Sequence, residues 1–461
     1  MRHTACCIAT ALLAACLTEP GDLPVAPRPT IDMAEAAAAP ANVLSAIIRV
    51  RLQDGDSAGA RFGTVESGAL DSIAPAVSVV GDSAVIPVLG LLPSTSYALK
   101  VAAYGPGGVA RSELLHLTTG ALPADLPSYS AGGSDPSPGY VVFSGGGYGL
   151  AIDNTGRVVW YVRLADPATL NFEPQPTGRY YTRPITNLSP VPWLEIDPLG
   201  NVTRTLGCAR GLIARFHDLI AVADGSYWVM CDESRVMDLS ASGGVAAARV
   251  TGTVVQHIGQ DGSVLFDWSP FDHFSIDDLD PADRTGPDVN WTHGNAIDLA
   301  PNGDLVVSFR SLSEITIINT QSGAVLWRIG GRANQLTFAD PLPPFRRQHG
   351  VRTGGPRTFV VLDNLGEAVG SRAERYMIDE DSGTLSFEAA MTPAPATVAM
   401  LGGTTQQLPG PRTLVAFGNG NRVQEFNSTG EIVWEIHGDP GYVFRATRIQ
   451  SLYQPGLGLP R

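Results

Sequence analysis

A chain of 461 residues, 44% of them hydrophobic, is long enough to bury a substantial core and to form two domains. Its 51 glycines and 35 prolines, set against 16% charged residues, point to short strands joined by tight turns, so all-β is the expected class. A formal net charge of −14 with Lys nearly absent excludes nucleic acid as a partner and a polybasic membrane patch, both of which need clustered cations.

Residues 1–16 read as a lipoprotein signal peptide. Arg2 and His3 make a short basic start, and Ile8 to Leu17 is an apolar run too short to span a bilayer as a mature helix. Leu13-Ala14-Ala15-Cys16 is similar to a lipobox, where cleavage precedes the Cys and its sulfur receives a diacylglycerol. A plain secretory signal containing a Cys is the alternative. The chain is therefore expected to be exported, periplasmic or at the cell surface, meeting the membrane only through a lipid on Cys16. Residues 17–42 are rich in Pro and Ala and are expected to be a tether. Once Cys6, Cys7 and Cys16 are assigned to the leader, Cys208 and Cys231 are left. In an oxidising compartment they form one disulfide, or else they stay as two buried thiols.

Residues 43–120 alternate apolar and polar positions and end in GLLPSTSYALKVAAYGPGGVARSELLHLTTG, the pattern of a fibronectin type III-like or Ig-like β-sandwich with a buried Tyr97. Residues 121–139 are rich in Pro, Ser and Gly and read as a linker. From 140 to 461 a turn with a Gly repeatedly leads into a β-run that often ends in Trp: DNTGRVVW, DPLGNV, QDGSVLFDW, TQSGAVLW, EDSGTLSF and NSTGEIVW. Gly156, Gly200, Gly262, Gly323, Gly383 and Gly430 are 44, 62, 61, 60 and 47 residues apart. Six copies at that spacing predict a six-bladed β-propeller, with FRATRIQSLY (444–453) closing the ring against the first blade.

Three of the eight histidines open a strand–turn–strand unit in successive blades: His217 in FHDLIAVADGSYWVM, His293 in HGNAIDLAPNGDLVVSFR and His349 in HGVRTGGPRTFVVLDN. In a propeller the innermost strands line the channel, so all three imidazoles are expected to face one pocket. Centring the fourth blade's hairpin between Asn302 and Gly303 puts a residue near 312 opposite His293, which brings Arg310 within reach. Three His also make a familiar zinc set, yet a guanidinium beside them would oppose the cation, so Arg310 favours an anionic substrate, with no metal or cofactor. No nucleotide-binding loop is present.

These segments, with NWTHGNAIDLAPNGDLVVSFR, FRRQHGVR and the closing FRATRIQSLY, resemble the aryl-sulfate sulfotransferases that need no phosphoadenosine donor. The resemblance spans 140 to 453 and implies a six-bladed propeller preceded by a small sandwich. It implies that His349 is transiently sulfurylated, that His217, His293 and Arg310 are the other catalytic residues, and that Asn295, with Thr404 or Thr405, binds substrate. The partners implied are small phenolic sulfates and phenols. Sulfuryl transfer, like phosphoryl transfer, spreads negative charge over equatorial oxygens, a charge that Arg310 and a protonated His217 or His293 would meet. Two other classes stay open on the residues alone. A quinoprotein-type propeller shares the turn pattern but would need calcium ligands that do not cluster in the sequence, and a non-catalytic propeller would present a binding face at the surface.

Overall fold

The computed structural model describes residues 26–185, 191–339, 345–355, 357–364 and 370–458; the expected leader, with Cys16, lies outside the described residues. These residues divide into two compact units, one taking in 26–35, 48–86 and 98–116, the other 36–47, 87–97 and everything from 117 onward. The chain is all-β.

Near the N-terminus a three-stranded sheet joins Thr30–Ala38, Ser45–Gln53 and Ser83–Leu89. A five-stranded sheet joins Ser72–Ser78, Ser57–Thr64 and Ser96–Gly105, with Gly108–Arg111 and Leu115–Thr118 both paired to the last of these. The period-two pattern explains the strands: in Ser45–Gln53, Ile48, Val50 and Leu52 are buried while Arg49 and Arg51 face outward. Tyr97 is buried, and its hydroxyl accepts from the Leu92 N–H at 2.7 Å, tying the Leu-x-Pro turn to the strand behind it. One boundary differs from expectation. The segment expected as a tether contains the strand Thr30–Ala38, because no Pro falls between Pro29 and Pro40 to interrupt it.

From Tyr140 onward six sheets follow one another, antiparallel except that Asp288–Asn290 in the third and Thr337–Phe338 in the fifth pair parallel to a neighbour. They begin with the strands Tyr140–Gly145, Asn171–Gln175, Ile213–Ala221, Gly294–Leu299, His349–Gly355 and Thr404–Leu408. Each of the six repeat glycines lies in the turn between the third and fourth strands of its sheet, with φ between 64° and 90°, a conformation that a side chain would strain. The aromatic residue after the turn packs toward the next sheet: Trp160 stacks on Tyr180 and Phe172 at centroid distances of 4.5 and 6.0 Å. Cys208 and Cys231 form a disulfide that ties the segment after Val202–Leu206 to Tyr227–Met237.

The first strands of neighbouring sheets lie side by side without sharing a ladder, so side chains make the connections between them. Asn171 Nδ2 donates to the carbonyls of Phe216 and His217, Asp218 accepts from the Ile297 N–H, and Asp298 accepts from the Thr353 N–H. Gln406 pairs with both backbone groups of Arg448. Burying these polar groups is tolerable because each meets a backbone partner. Two distant segments complete the set. Ala446–Ile449 adds a strand to the first sheet beside Tyr140–Gly145, as the sequence pattern predicts, and Ala131–Gly132, within the expected linker, pairs with Ile432–Ile436 of the sixth.

Candidate active site

Strand Ile213–Ala221 carries the first elements of the site. A register irregularity between Ala214 and Leu219 interrupts its ladder, and Arg215, Phe216 and His217 all reach the same cavity. The sheet-four hairpin supplies the next elements. Its turn is three residues long, with Gly303 at φ 88°, and Asn295 is an extra residue opposite its partner strand. Both features shift the pairing from the simple two-residue count. Arg310, not residue 312, stands opposite His293, its N–H donating to the His293 carbonyl at 3.0 Å. His293 itself sits at φ 48°, a left-handed backbone that costs a non-glycine residue about 1–2 kcal/mol.

His217, His293, Arg310 and His349 line one cavity of about 660 Å³. Phe216, Tyr442 and Phe444, with Leu170 and Leu401, give it an aromatic and apolar wall, while Ser234, Thr251 and Asp232 give it a polar one. The Nε2 atoms of His293 and His217 are 3.3 Å apart, and Asn290 Nδ2 donates to His293 Nδ1 at 2.6 Å. His349 Nδ1 lies 2.8 Å from Asn364 Oδ1. Phe216 stacks on the His217 ring with centroids 4.0 Å apart. Three guanidiniums face the space: Arg215 is paired with Asp232 and Arg249 with Asp288, whereas Arg310 Nε is buried without a hydrogen-bond partner among the described residues. An unsatisfied cationic donor beside three imidazoles makes an anion site.

Other expected site residues lie elsewhere. Asn295 is buried, its Nδ2 donating to the Gln348 carbonyl at 2.6 Å, and is not part of the cavity wall. Thr404 and Thr405 line a separate space of about 30 Å³ with Glu173, Arg352 and Arg445, and Thr405 Oγ1 donates to the Gly350 carbonyl at 2.9 Å. Arg445 is almost fully buried: its Nε donates to the His217 carbonyl at 3.0 Å and its Nη2 lies 3.3 Å from Asp218. Among the described residues no three His, Cys, Asp or Glu side chains group as a metal-ligand set. The sequence reading missed Arg215, Asn290, Asn364, Tyr442 and Phe444. Of these only Arg215 carried a signal, since Arg-x-His places both side chains on one face of a strand.

The protonation states also differ from expectation. Burial, reinforced by Arg310 and Arg445, draws His349 down to about 3 despite its Asn364 partner. Burial and then Arg215 pull His217 and His293 well below the usual imidazole value. All three are neutral at pH 7, so the positive charge comes from the arginines and not from a protonated His217 or His293. An unfolded chain takes up these protons at pH 6.5, and the folded one refuses them. Stability from the cluster is therefore full above pH 6.5 and declines as pH falls toward 3. The denaturant midpoint is expected to drop over that window, with a shallower slope in His217→Gln; equal slopes would remove the imidazoles as the cause.

Comparison with known proteins adds a family. The model described as Arylsulfotransferase (ASST) matches residues 209–439, which includes His217, His293, Arg310 and His349. No curated protein matches. A protein of unknown function from Bacteroides caccae is 11% identical, with a TM-score of 0.43, over 65% of this chain and 93% of that one. A streptogramin B lyase is 12% identical with a TM-score of 0.38, over 72% and 87%, and a virginiamycin B lyase from Staphylococcus aureus is 14% identical with a TM-score of 0.32, over 63% and 73%. At these scores the structural likenesses carry no argument about chemistry.

Proposed function

Because the chain belongs to the arylsulfotransferase family, we propose that it moves a sulfuryl group from an aryl sulfate ester to a phenolic acceptor, through a covalent intermediate on His349. The observation that carries this reading is the meeting of His217, His293, Arg310 and His349 in one cavity. The same reading takes the six sheets as the blades of a propeller and the N-terminal sheets as a fibronectin type III-like sandwich.

In the first half-reaction a neutral His349 nitrogen attacks sulfur, the N–S bond forms, and the S–O bond breaks with its electron pair leaving on the phenolate. The donor's ring lies against Phe216, Tyr442 and Phe444, and Arg310 meets the charge that spreads over the sulfuryl oxygens. In the second half an acceptor phenol occupies the same wall. His293, neutral and hydrogen-bonded to His217, takes the phenol's proton as oxygen attacks sulfur, and the N–S bond breaks to return His349. A single room serving donor and acceptor in turn is what ping-pong kinetics requires.

Mixing the enzyme with a nitrophenyl sulfate and no acceptor is expected to release one equivalent of nitrophenol in a burst and to leave a protein heavier by one sulfuryl group. A series of aryl sulfates that leaves the mass unchanged would reject the reading. Arg310→Ala is expected to lower kcat/KM on the order of 10²–10³-fold, with Arg310→Lys recovering part of it, because a point charge lacks the guanidinium's planar set of donors.

A further inference from the structure

We propose that Asn364 is the positioning residue that makes His349 the nucleophile, by holding its imidazole in the tautomer whose Nε2 carries the lone pair; the inference rests on the sulfuryl-transfer reading above. An asparagine amide has one donating end and one accepting end, and which end meets a histidine decides where that ring's proton sits. Asn364 Nδ2 donates to the carbonyls of Ala399 and Gly402 at 2.8 and 3.0 Å. Turning the amide over would press Oδ1 against two carbonyl oxygens, so the orientation is fixed by groups that can only accept. Oδ1 is left facing His349 Nδ1 at 2.8 Å, and it too can only accept. The proton is therefore on Nδ1, and Nε2 keeps its lone pair.

The surroundings hold this arrangement rigid. Asn364 is fully buried, so water does not compete for its amide. Ser371 Oγ donates to the Asn364 carbonyl at 2.6 Å and accepts from the Ala399 N–H at 2.8 Å, which locks the carbonyls that orient the amide. His293 and His217 face each other through Nε2 atoms 3.3 Å apart, so each engages the other. Of the three imidazoles in the cavity, two are paired with each other and His349 is left with a lone pair for sulfur. The choice of His349 as nucleophile thereby acquires a basis in geometry as well as in family membership. As its Nε2 bonds to sulfur, positive charge spreads over the ring, and the Nδ1–H to Oδ1 bond is strongest at that moment.

The test reads the tautomer directly, by ¹⁵N chemical shifts of His349 in wild type, Asn364→Leu and Asn364→Asp, beside steady-state kinetics with a nitrophenyl sulfate and a phenol. Wild type is expected to show the Nδ1–H form. Asn364→Leu is expected to show both forms and to lose kcat on the order of 10²-fold or more with KM little changed. Asn364→Asp keeps an acceptor toward Nδ1 and, protonated on the oxygen that faces the Ala399 and Gly402 carbonyls, is expected to hold the wild-type tautomer and to regain part of the turnover lost in the leucine variant. An Nε2–H tautomer in wild type overturns the proposal, as does an Asn364→Leu enzyme with unchanged tautomer and kcat. Should the leucine variant not fold, wild type and Asn364→Asp still decide. The shifts need no substrate, so a wild type in the Nδ1–H form that transfers nothing supports the geometry and rejects the sulfuryl reading.

Discussion

His349→Ala is expected to lose the sulfuryl adduct entirely, with kcat/KM for transfer between phenols falling on the order of 10⁴-fold or more. Removing a covalent nucleophile forces the two phenols into a direct reaction, yet the cavity places one aromatic wall before the histidines and not two. The substitution also leaves Asn364 Oδ1 buried without its donor, at a cost of about 1–3 kcal/mol, so His349→Gln is the better control for folding. His293→Ala separates the roles. It keeps the nucleophile and loses the base, so the burst with a nitrophenyl sulfate persists, because that leaving group needs no proton, while transfer to an ordinary phenol slows. A mass adduct in His349→Ala, located elsewhere by peptide mapping, would move the nucleophile to another residue.

Arg445→Met is expected to have the largest effect on stability, about 3–5 kcal/mol, read as a fall in the thermal midpoint of the C-terminal unit. The Arg445 guanidinium lies 3.3 Å from Asp218 and 3.6 Å from Glu173, and all three side chains are buried. Methionine fills a similar volume and removes the guanidinium from both carboxylates, while Arg352 stays 3.1 Å from Asp218. A buried, undercompensated carboxylate takes up a proton, so the loss should narrow as pH falls toward the carboxylate range. A variant as stable as wild type at neutral pH, with no added pH dependence, would show that these charges are compensated without Arg445. Activity should fall with stability, since Arg445 Nε also holds the carbonyl of His217.

Periodicity made part of this molecule readable in advance. Six glycines at propeller spacing mark six turns between third and fourth strands, because a positive φ there is a local demand that only glycine meets cheaply. His293 and His349 stand at the openings of their strands and His217 at the irregularity inside Ile213–Ala221, and the repeat carries these positions to one cavity. Features that depend on register or on distant partners were not readable. Arg310 was placed two residues from its true position opposite His293, since neither the three-residue turn nor the extra residue Asn295 shows in a hydrophobic pattern. Thr30–Ala38 was hidden by alanines with little strand preference, and Ala131–Gly132 is too short for any pattern. Asn364 acts through which end of its amide it presents, a property settled by carbonyls some way along the chain. The neutrality of the imidazoles depends on desolvation, which exists only once the sheets have packed.

The first sheet takes one of its edge strands, Ala446–Ile449, from just over 300 residues downstream of the strand it pairs with, and Arg445 comes with it. The site is consequently the last thing to be finished as the chain is made. Until residue 445 has been synthesised and inserted, the His217 carbonyl lacks its donor and Asp218 lacks one of its cations. A nascent chain can fold sheet after sheet and still be chemically silent. Any catalysis in this cavity is thereby withheld from every incomplete product, and the first turnover reports that the last strand has joined the first sheet.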